Sequence, residues 1–251
     1  MVVTDKETGA AVIGATPAET IELDRRPGGK LKARVWQPGK YEVCAVDGQA
    51  ARFEVAALPP PLAITGPWDL AFPPKWGAPP RVTLDQLISW SDHPDAGVKY
   101  FSGTATYRKT FTVPADLLTP DRRQYLDLGE VAVIAEVKLN GQDLGILWKP
   151  PFRVEVTPTL KTGDNVLEVK VVNLWVNRLI GDEQLPEDSD RNPGGTLKSW
   201  PQWILEGKPS PTGRYTFTSW RLWNRTDALV ASGLLGPVTI QAVQEITLNE
   251  P

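Results

Sequence analysis

The sequence predicts an all-β protein, and three features of its patterning lead to that fold class. Short runs of alternating apolar and polar residues recur at intervals of about ten residues, as expected for strands that bury one face. The runs are separated by turns rich in proline and glycine, of which the chain has 24 and 21. Helical periodicity is scarce, and residues 84–90 are the one stretch that could form one or two helical turns. These features favour a β-sandwich or jelly roll over a helical or parallel architecture.

The first 60 residues read as a small β segment. Four strands are predicted there, at residues 20–24, 31–36, 40–46 and 51–56. Asp47-Gly48 joins the last two as a hairpin, because this dipeptide tolerates the positive φ values of a type I′ turn. The run Leu58-Pro59-Pro60-Pro61 is a stiff extended linker, so we place a domain boundary near residue 60. A segment of this size buries little apolar surface alone, and we expect it to be the tail of a preceding β domain.

Residues 61–251 are predicted to form a second, larger β domain. Residues 104–113 alternate, and residues 131–139 place every second side chain on one face before Asn140-Gly141 turns the chain back into a strand at 144–148. Residues 165–175 alternate again. The stretch from Asn177 to Trp203 breaks this rhythm, yet it is too rich in tryptophan, leucine and isoleucine for a linker. We expect it to be an ordered loop that covers one end of the sandwich.

The composition excludes several classes of function. Hydrophobic residues make up 41% and charged residues 23% of the 251 positions, as in ordinary globular proteins. The formal net charge is −3 and there is no long basic run, which argues against binding to nucleic acid or to an anionic membrane. No apolar run approaches the roughly 18 residues that span a bilayer. Cys44 is the single cysteine, and the first residues lack the pattern of a secretory signal, so localisation is left open.

The most informative chemical feature is a stretch rich in tryptophan and charge. Six of the ten tryptophans fall between Trp148 and Trp223. An indole can stack on the apolar C–H face of a pyranose, while carboxylates, guanidiniums and amides bind its hydroxyls. The candidate sugar-binding residues are Trp148, Asn177, Arg178, Asp182, Glu183, Trp200, Trp203, Arg214, Tyr215 and Trp220. The alternative is that Arg178 and Arg214 form internal ion pairs with the acidic loop and pin it.

Catalysis and metal binding are weaker alternatives. A glycosidase needs two carboxyl groups, about 5–5.5 Å apart for retention or 6.5–9.5 Å for inversion, and Asp182, Glu183, Glu187 and Glu206 are the candidates. His93, the single histidine, sits in a turn-like setting without a visible nucleophile. Zinc is disfavoured by one histidine and one distant cysteine. Calcium is the better metal alternative, because five carboxylates lie close in sequence, although they equally suit a solvated acidic loop: Asp182, Glu183, Glu187, Asp188 and Asp190.

Several motifs resemble a known family. They are Gly66-Pro67-Trp68, the run from Tyr100 to Lys109, Leu126-Asp127-Leu128-Gly129, Val137 to Gly141, Gly163-Asp164-Asn165 and Asn173 to Glu183. Residues 66–240 resemble the galactose-binding-like jelly-roll domain of glycoside hydrolases, as in family 2 and in the C-terminal part of family 106 α-L-rhamnosidases. The narrower likeness to family 106 comes from residues 177–188, 200–211, 212–218 and 232–238.

This resemblance implies a carbohydrate-binding accessory domain of a glycoside hydrolase related to α-L-rhamnosidases, with no cofactor. The enzymes of that family place their chemistry in a (β/α)8 barrel, which this sequence does not contain. A longer parent protein, periplasmic or secreted, would supply that catalytic barrel as a partner. Two alternatives are kept: a compact glycosidase that uses the carboxylates of residues 177–206, and a structural docking domain without a ligand site.

Overall fold

A computed structural model describes residues 2–5, 11–13, 20–25, 31–44 and 50–248. The first six strands are β1 (Val2–Asp5), β2 (Ala11–Ile13), β3 (Ile21–Arg25), β4 (Leu31–Val35), β5 (Gly39–Cys44) and β6 (Ala50–Val55). The next six are β7 (Leu62–Ala63), β8 (Trp68–Ala71), β9 (Arg81–Leu84), β10 (Thr104–Val113), β11 (Arg122–Asp127) and β12 (Glu130–Ala132). The last six are β13 (Ile134–Leu139), β14 (Gln142–Leu147), β15 (Arg153–Glu155), β16 (Gly163–Val172), β17 (Gly233–Gly236) and β18 (Thr239–Leu248).

Helices are few and short in the described part of the chain. They are α1 (Ala96–Lys99), α2 (Val176–Asp182), α3 (Gln202–Leu205) and the 3₁₀ turns Trp90–Asp92 and Ala115–Leu117. Within those described residues, no helix reaches the length and apolar character needed to cross a membrane. The all-β fold class predicted from alternation is therefore confirmed.

Two antiparallel sheets form the sandwich. The first sheet has the strand order β14-β13-β16-β10-β8-β9, and the second has β15-β11-β18-β4-β3 with β7 paired to β18. The inner faces alternate as the sequence predicted, so that Ala135, Val137 and Leu139 of β13 are fully buried. They pack in one core with residues of the second sheet such as Leu126 and Ile240. Burial of this shared apolar surface is the main favourable term in folding.

The hairpin predicted at Asn140-Gly141 is confirmed. Leu139 pairs with Gln142, so the turn has two residues, and both adopt positive φ values of 52° and 83°. The Asn140 side chain donates to the Asn165 Oδ1 and accepts from the N–H of Val166, which ties the turn to strand β16. The Asp47-Gly48 turn lies outside the described residues, but the strands on either side of it pair with each other from Cys44 and Ala50 outward.

The first segment makes a second, smaller hydrophobic core. Its buried members are Ile21, Leu31, Ala33, Val35, Tyr41, Val43, Val55 and Leu248. Strand β18 joins the two cores, because Ile240 packs in the large one and Leu248 in the small one. Its C-terminal half pairs with β4 over residues 244–248. The domain boundary near residue 60 stays a prediction, and β18 contributes residues to the hydrophobic cores on both sides of it.

One local prediction is wrong, and a second gave only part of the structure. Residues 84–90 were expected to form helical turns, but Leu84 ends strand β9 opposite Trp68, and a 3₁₀ turn begins only at Trp90. Both residues are buried in the large core, so their spacing reflects burial by different elements and not one helix face. The stretch 177–203 was expected to be an ordered loop, and it also contains most of α2 and the start of α3. It is held by distant partners that a local pattern does not show.

Candidate functional site

All predicted site residues except Trp148 lie in the segment from α2 to Trp223, which has two layers. The inner layer is buried and polar, and it ties the segment to the sandwich. Asn177 is fully buried at the start of α2. Its amide donates to the Val230 carbonyl at 2.7 Å and to Ser232 Oγ at 2.9 Å, and its oxygen accepts from the Val230 N–H at 2.9 Å. With its amide fully engaged, Asn177 holds two segments of the chain together.

Asp182, at the end of α2, is the second anchor. One carboxylate oxygen accepts three hydrogen bonds, from the N–H of Tyr215 at 3.0 Å, the N–H of Thr216 at 2.7 Å and the Thr216 hydroxyl at 2.6 Å. The other oxygen lies 3.7 Å from the Arg178 guanidinium, one helical turn earlier. Burial lowers the pKa of Arg178, and Asp182 opposes that shift. Both side chains are almost completely buried, so the pair fixes the segment 214–216 against the helix.

Two further arginines pin the acidic loop from its other side. Arg214 pairs with Glu183 at 2.9 Å and donates to the carbonyl oxygens of Pro186 and Leu185. Arg221 pairs with Glu183 at 3.1 Å and also with Glu187. The internal ion pairs proposed for Arg178 and Arg214 as an alternative are thus present. They leave the loop 183–187 held at several points by charge-assisted hydrogen bonds.

A small cavity lies among these groups. Its charged lining residues are Asp182, Glu183, Asp188, Arg191, Arg214 and Arg221, and two threonines and several apolar residues complete it. Its volume of about 30 Å³ matches one water molecule and is far too small for a pyranose. Burial, together with the nearby Arg221, lowers the pKa of Arg191, whose guanidinium donates to the carbonyl oxygens of Gly195 and Thr218. This cavity belongs to the scaffold of the loop.

The outer layer contains an open cleft of about 770 Å³, which is large enough for a saccharide. It is lined by Glu187, Asp188, Ser189, Asp190, Ser199, Trp200, Pro201, Gln202, Trp203, Glu206 and Pro211. The Trp200 side chain is 58% exposed although its ring contacts Phe217. Trp203 packs edge-on against Phe217 and donates its indole N–H to the Asp188 carbonyl at 2.9 Å. The cleft therefore offers a supported indole beside a row of carboxylates.

The polar groups of the cleft are fixed by neighbours. Asp188 accepts hydrogen bonds from the hydroxyls of Ser189 and Ser210. Glu206 accepts from Gln202 at 2.8 Å and pairs with Lys208 at 2.6 Å. The hydrogen bond from Lys208, followed by that from Gln202, lowers the pKa of Glu206. Held carboxylates of this kind are suited to accept hydroxyl donors from a ligand.

A second aromatic cluster lies on the other side of the segment 214–218. Tyr215 stacks with Trp76 at a centroid distance of 6.5 Å, and Trp76 contacts Trp175 edge-on at 5.9 Å. The Arg178 guanidinium lies 4.7 Å from the Tyr215 ring. Trp175 and Tyr215 are exposed. Sequence reasoning did not select Trp76 or Trp175 for the site, because Trp76 is far from Tyr215 along the chain and lies outside the tryptophan-rich stretch.

The structure does not bring all predicted sugar-binding residues together. Trp200 and Trp203 line the open cleft with Glu187 and Glu206, whereas Trp148 and Trp220 lie outside its lining. The Trp220 indole donates to the Gly194 carbonyl at 3.0 Å. Asn177, Arg178, Asp182, Glu183 and Arg214 make the internal contacts given above. A sugar-binding role for each of these residues stays a prediction.

The calcium alternative has little support in the geometry. Among the described residues, no group of three or more histidine, cysteine or acidic side chains is placed to hold a metal ion. The acidic residues of the loop turn to other partners: Asp182 to backbone N–H groups, and Glu183 and Glu187 to arginines. His93 accepts the N–H of Asp95, and Asp95 caps α1 through the N–H groups of Gly97 and Val98, in keeping with a structural turn.

A family model matches the central part of this chain. Residues 92–205 match the family model described as "Glycosyl hydrolase 2 galactose-binding domain-like". This chain contains a galactose-binding-like domain of the glycoside hydrolases. The matched residues of this galactose-binding-like domain run from the 3₁₀ turn at Trp90–Asp92 to the end of α3, and so include α2 and part of the cleft. The resemblance drawn from the sequence motifs is confirmed.

Two curated relatives and one solved structure are similar to this chain. A protein of Formosa agariphila named "Putative beta-glucuronidase" is 48% identical over 211 residues, which cover 84% of this chain and 18% of that protein. A "Beta-glucuronidase" of the same strain is 35% identical over 94 residues, or 36% of this chain and 9% of its own length. The rhamnosidase from Novosphingobium sp. PP1Y matches with a TM-score of 0.59 over 92% of this chain and 24% of its own, at 24% identity, a likeness that shows the fold. The chain thus spans less than a fifth of the length of the two curated relatives.

Proposed function

We propose that this galactose-binding-like domain is a non-catalytic carbohydrate-binding part of a larger glycoside hydrolase, and that it binds glycan in the open cleft beside Trp200. The observation that carries the proposal is the exposed Trp200 indole above a ligand-sized cleft whose carboxylates are held in place. A supported aromatic face and a few oriented polar groups are the parts that a saccharide site requires.

The contacts of the acidic residues support binding over catalysis. A glycosidase needs a carboxylic acid of raised pKa to protonate the leaving oxygen. Glu206 has the opposite shift, because Lys208 and Gln202 stabilise its charged form. Glu183 is engaged by two arginines and Asp182 is buried beneath three donors, so neither faces a substrate. We therefore assign the chemistry to a catalytic barrel elsewhere in a longer parent protein that is exported. On this proposal, the parent protein is related to the proteins named as glucuronidases or to the rhamnosidase.

Affinity electrophoresis in gels that contain a glycan tests the proposal. Gum arabic is a suitable first probe, because it carries rhamnose, galactose and glucuronic acid. We expect it, or its carboxyl-reduced form, to retard the wild-type domain, with calorimetric affinities for released oligosaccharides in the micromolar to millimolar range. Trp200→Ala should abolish the retardation, since it removes the stacking face and leaves the helix α3 in place.

The matched control is Trp148→Ala. This indole is 66% exposed, yet it lies outside the cleft, so its removal should leave retardation unchanged. Equal binding by wild type and Trp200→Ala would contradict the proposed cleft. Hydrolysis of aryl glycosides by the 251-residue chain that disappears in Glu183→Gln or Glu187→Gln would instead favour a compact glycosidase.

A second candidate role, docking onto another domain, rests on the outer face of the first sheet. Ile134 pairs with Val172 there, and Ile146 pairs with Glu136 two residues further along β13, so Ile134, Val172 and Ile146 share that face. All three are exposed, and Trp148 follows Ile146. Exposed apolar residues that adjoin one another are typical of interaction surfaces. An Ile146→Lys variant that lowers binding to a separately purified catalytic domain of the parent protein would support this role, and unchanged binding would remove it.

A further inference from the structure

The cleft that is proposed to bind glycan has an uneven distribution of charge. Its lining contains Glu187, Asp188, Asp190 and Glu206, and it contains no lysine, arginine or histidine. Lys208 pairs with Glu206 and Arg221 pairs with Glu187 from outside the lining, so two of the four carboxylates have a cationic partner. Asp188 accepts hydrogen bonds from uncharged hydroxyls, which leave its charge in place. A ligand in the cleft therefore meets a net negative wall.

From this charge distribution we infer that the cleft prefers uncharged sugar residues over uronates, an inference that rests on the proposed function. A sugar hydroxyl donates a hydrogen bond to a carboxylate, and a carboxylate acceptor strengthens that bond. A uronate brings a second negative charge to the same wall and finds no guanidinium fork to bind it. The glycan bound by this domain would thus differ in charge from the glucuronides implied by the names of its two relatives.

The small cavity near the cleft has a different distribution of charge, because arginines surround it. Arg191, Arg214 and Arg221 surround the cavity of about 30 Å³, but their guanidiniums are already used by carbonyl oxygens and by Glu183 and Glu187. Arg214 is also nearly fully buried, with a side-chain exposure of 6%. The arginines that could bind a uronate are thus engaged by internal partners, and the cleft that faces a ligand is lined by carboxylates.

The expected size of the discrimination follows from Coulomb's law. Two unit charges 4 Å apart repel by ~1 kcal/mol in bulk water, which corresponds to a factor of about five in affinity. The repulsion is larger where the protein lowers the local dielectric constant, and it is reduced by salt with a screening length of about 8 Å at physiological ionic strength. We therefore expect at least an approximately fivefold preference for an uncharged glycan at low salt, and a smaller preference at high salt.

One glycan in two charge states provides the test. Gum arabic is compared with the same material after carboxyl reduction, which converts its glucuronic acid residues to glucose residues. Retardation of the intact domain in gels is measured as a function of glycan concentration, at low and at high salt. We expect the reduced form to bind about fivefold or more tightly at low salt, with a narrower gap at high salt, and Trp200→Ala to lose binding to both.

Two variants of equal charge change localise the effect. Asp190→Asn removes a carboxylate from the cleft wall, and Asp116→Asn removes an exposed carboxylate far outside its lining. We expect Asp190→Asn to reduce the difference in affinity between the two glycans and Asp116→Asn to leave that difference unchanged. Equal or tighter binding of the acidic form, still dependent on Trp200, would overturn the inference while the proposed function stands. Binding of neither form would overturn both.

Discussion

Replacing Asp182 by alanine should destabilise the domain severely, because this carboxylate is a buried junction between α2 and the segment 214–216. The change leaves the N–H groups of Tyr215 and Thr216 and the Thr216 hydroxyl without their acceptor. It also leaves the Arg178 guanidinium, 6% exposed, without the carboxylate that lies 3.7 Å away. Removing one member of a buried ion pair costs roughly 3–5 kcal/mol, and hydrogen bonds to a charged group contribute about 1.5–3 kcal/mol each but do not add independently. We expect a loss of about 4 kcal/mol.

Urea denaturation followed by tryptophan fluorescence and by far-UV circular dichroism measures this loss. At about 2–4 °C per kcal/mol for a chain of this size, the melting temperature should fall by roughly 8–16 °C. Asp182→Asn keeps one acceptor oxygen and the side-chain shape, so it should show a smaller loss. Asp190→Ala, an exposed carboxylate of the same loop, should stay within about 0.5 kcal/mol of wild type. An Asp182→Ala protein as stable as Asp190→Ala would refute the structural role assigned to Asp182.

Three further predictions concern the core and the turns. Tyr107→Phe removes the buried hydroxyl that accepts the Trp90 indole N–H at 2.6 Å and a backbone N–H of β17 at 3.0 Å, and should cost about 2–4 kcal/mol in denaturant unfolding. Gly97→Ala would drive a Cβ into the Gly77 carbonyl oxygen, so we expect a clearly lower melting temperature, whereas an unchanged one would contradict the tight packing of α1. Burial raises the pKa of Tyr125 to about 12. Because the unfolded phenol ionises near pH 10, stability should fall as the pH rises from about 10 to 12, and this fall should be smaller in Tyr125→Phe, as judged by urea titrations at each pH.

Local patterns were sufficient for several of the strands, because a strand that buries one face alternates apolar and polar residues with a period of two. The alternation of β10, β13 and β16 and the two-residue turn at Asn140-Gly141 need no partner to be recognised. Helix α2 was missed because much of what holds it is distant: Asn177 bonds Val230, and the N–H of Arg178 bonds Ser102. Likewise, Leu248 at the C-terminal end of β18 packs in the core of the first segment, and the residues around it in sequence do not indicate this contact.

The residue types of the candidate site were predictable from the sequence, but the burial or exposure of each side chain was not. A tryptophan-rich, acidic stretch does contain the cleft, and Trp200 and Trp203 were among the residues selected for it. The sequence did not show that Asp182 would be buried beneath backbone donors while Glu206 would be exposed, since residue type alone does not set the burial of a carboxylate. The aromatic cluster of Trp76, Trp175 and Tyr215 was missed because Trp76 is distant in sequence from the other two residues.

The internal ion pairs hold the loop in place beside the exposed Trp200 indole, and this has a consequence for glycan affinity. A loop that becomes ordered only when ligand binds loses conformational entropy at that moment, and this cost is subtracted from the affinity. Here Asp182, Arg214 and Arg221 order the loop beforehand, so the energy of stacking on Trp200 is available for binding. Weakening the internal network, for example by Arg214→Lys, should therefore reduce glycan affinity although Arg214 does not line the cleft. If that variant folds and binds as wild type does, the ion pairs serve stability alone and the cleft is organised by the packing of Phe217 with the two tryptophans.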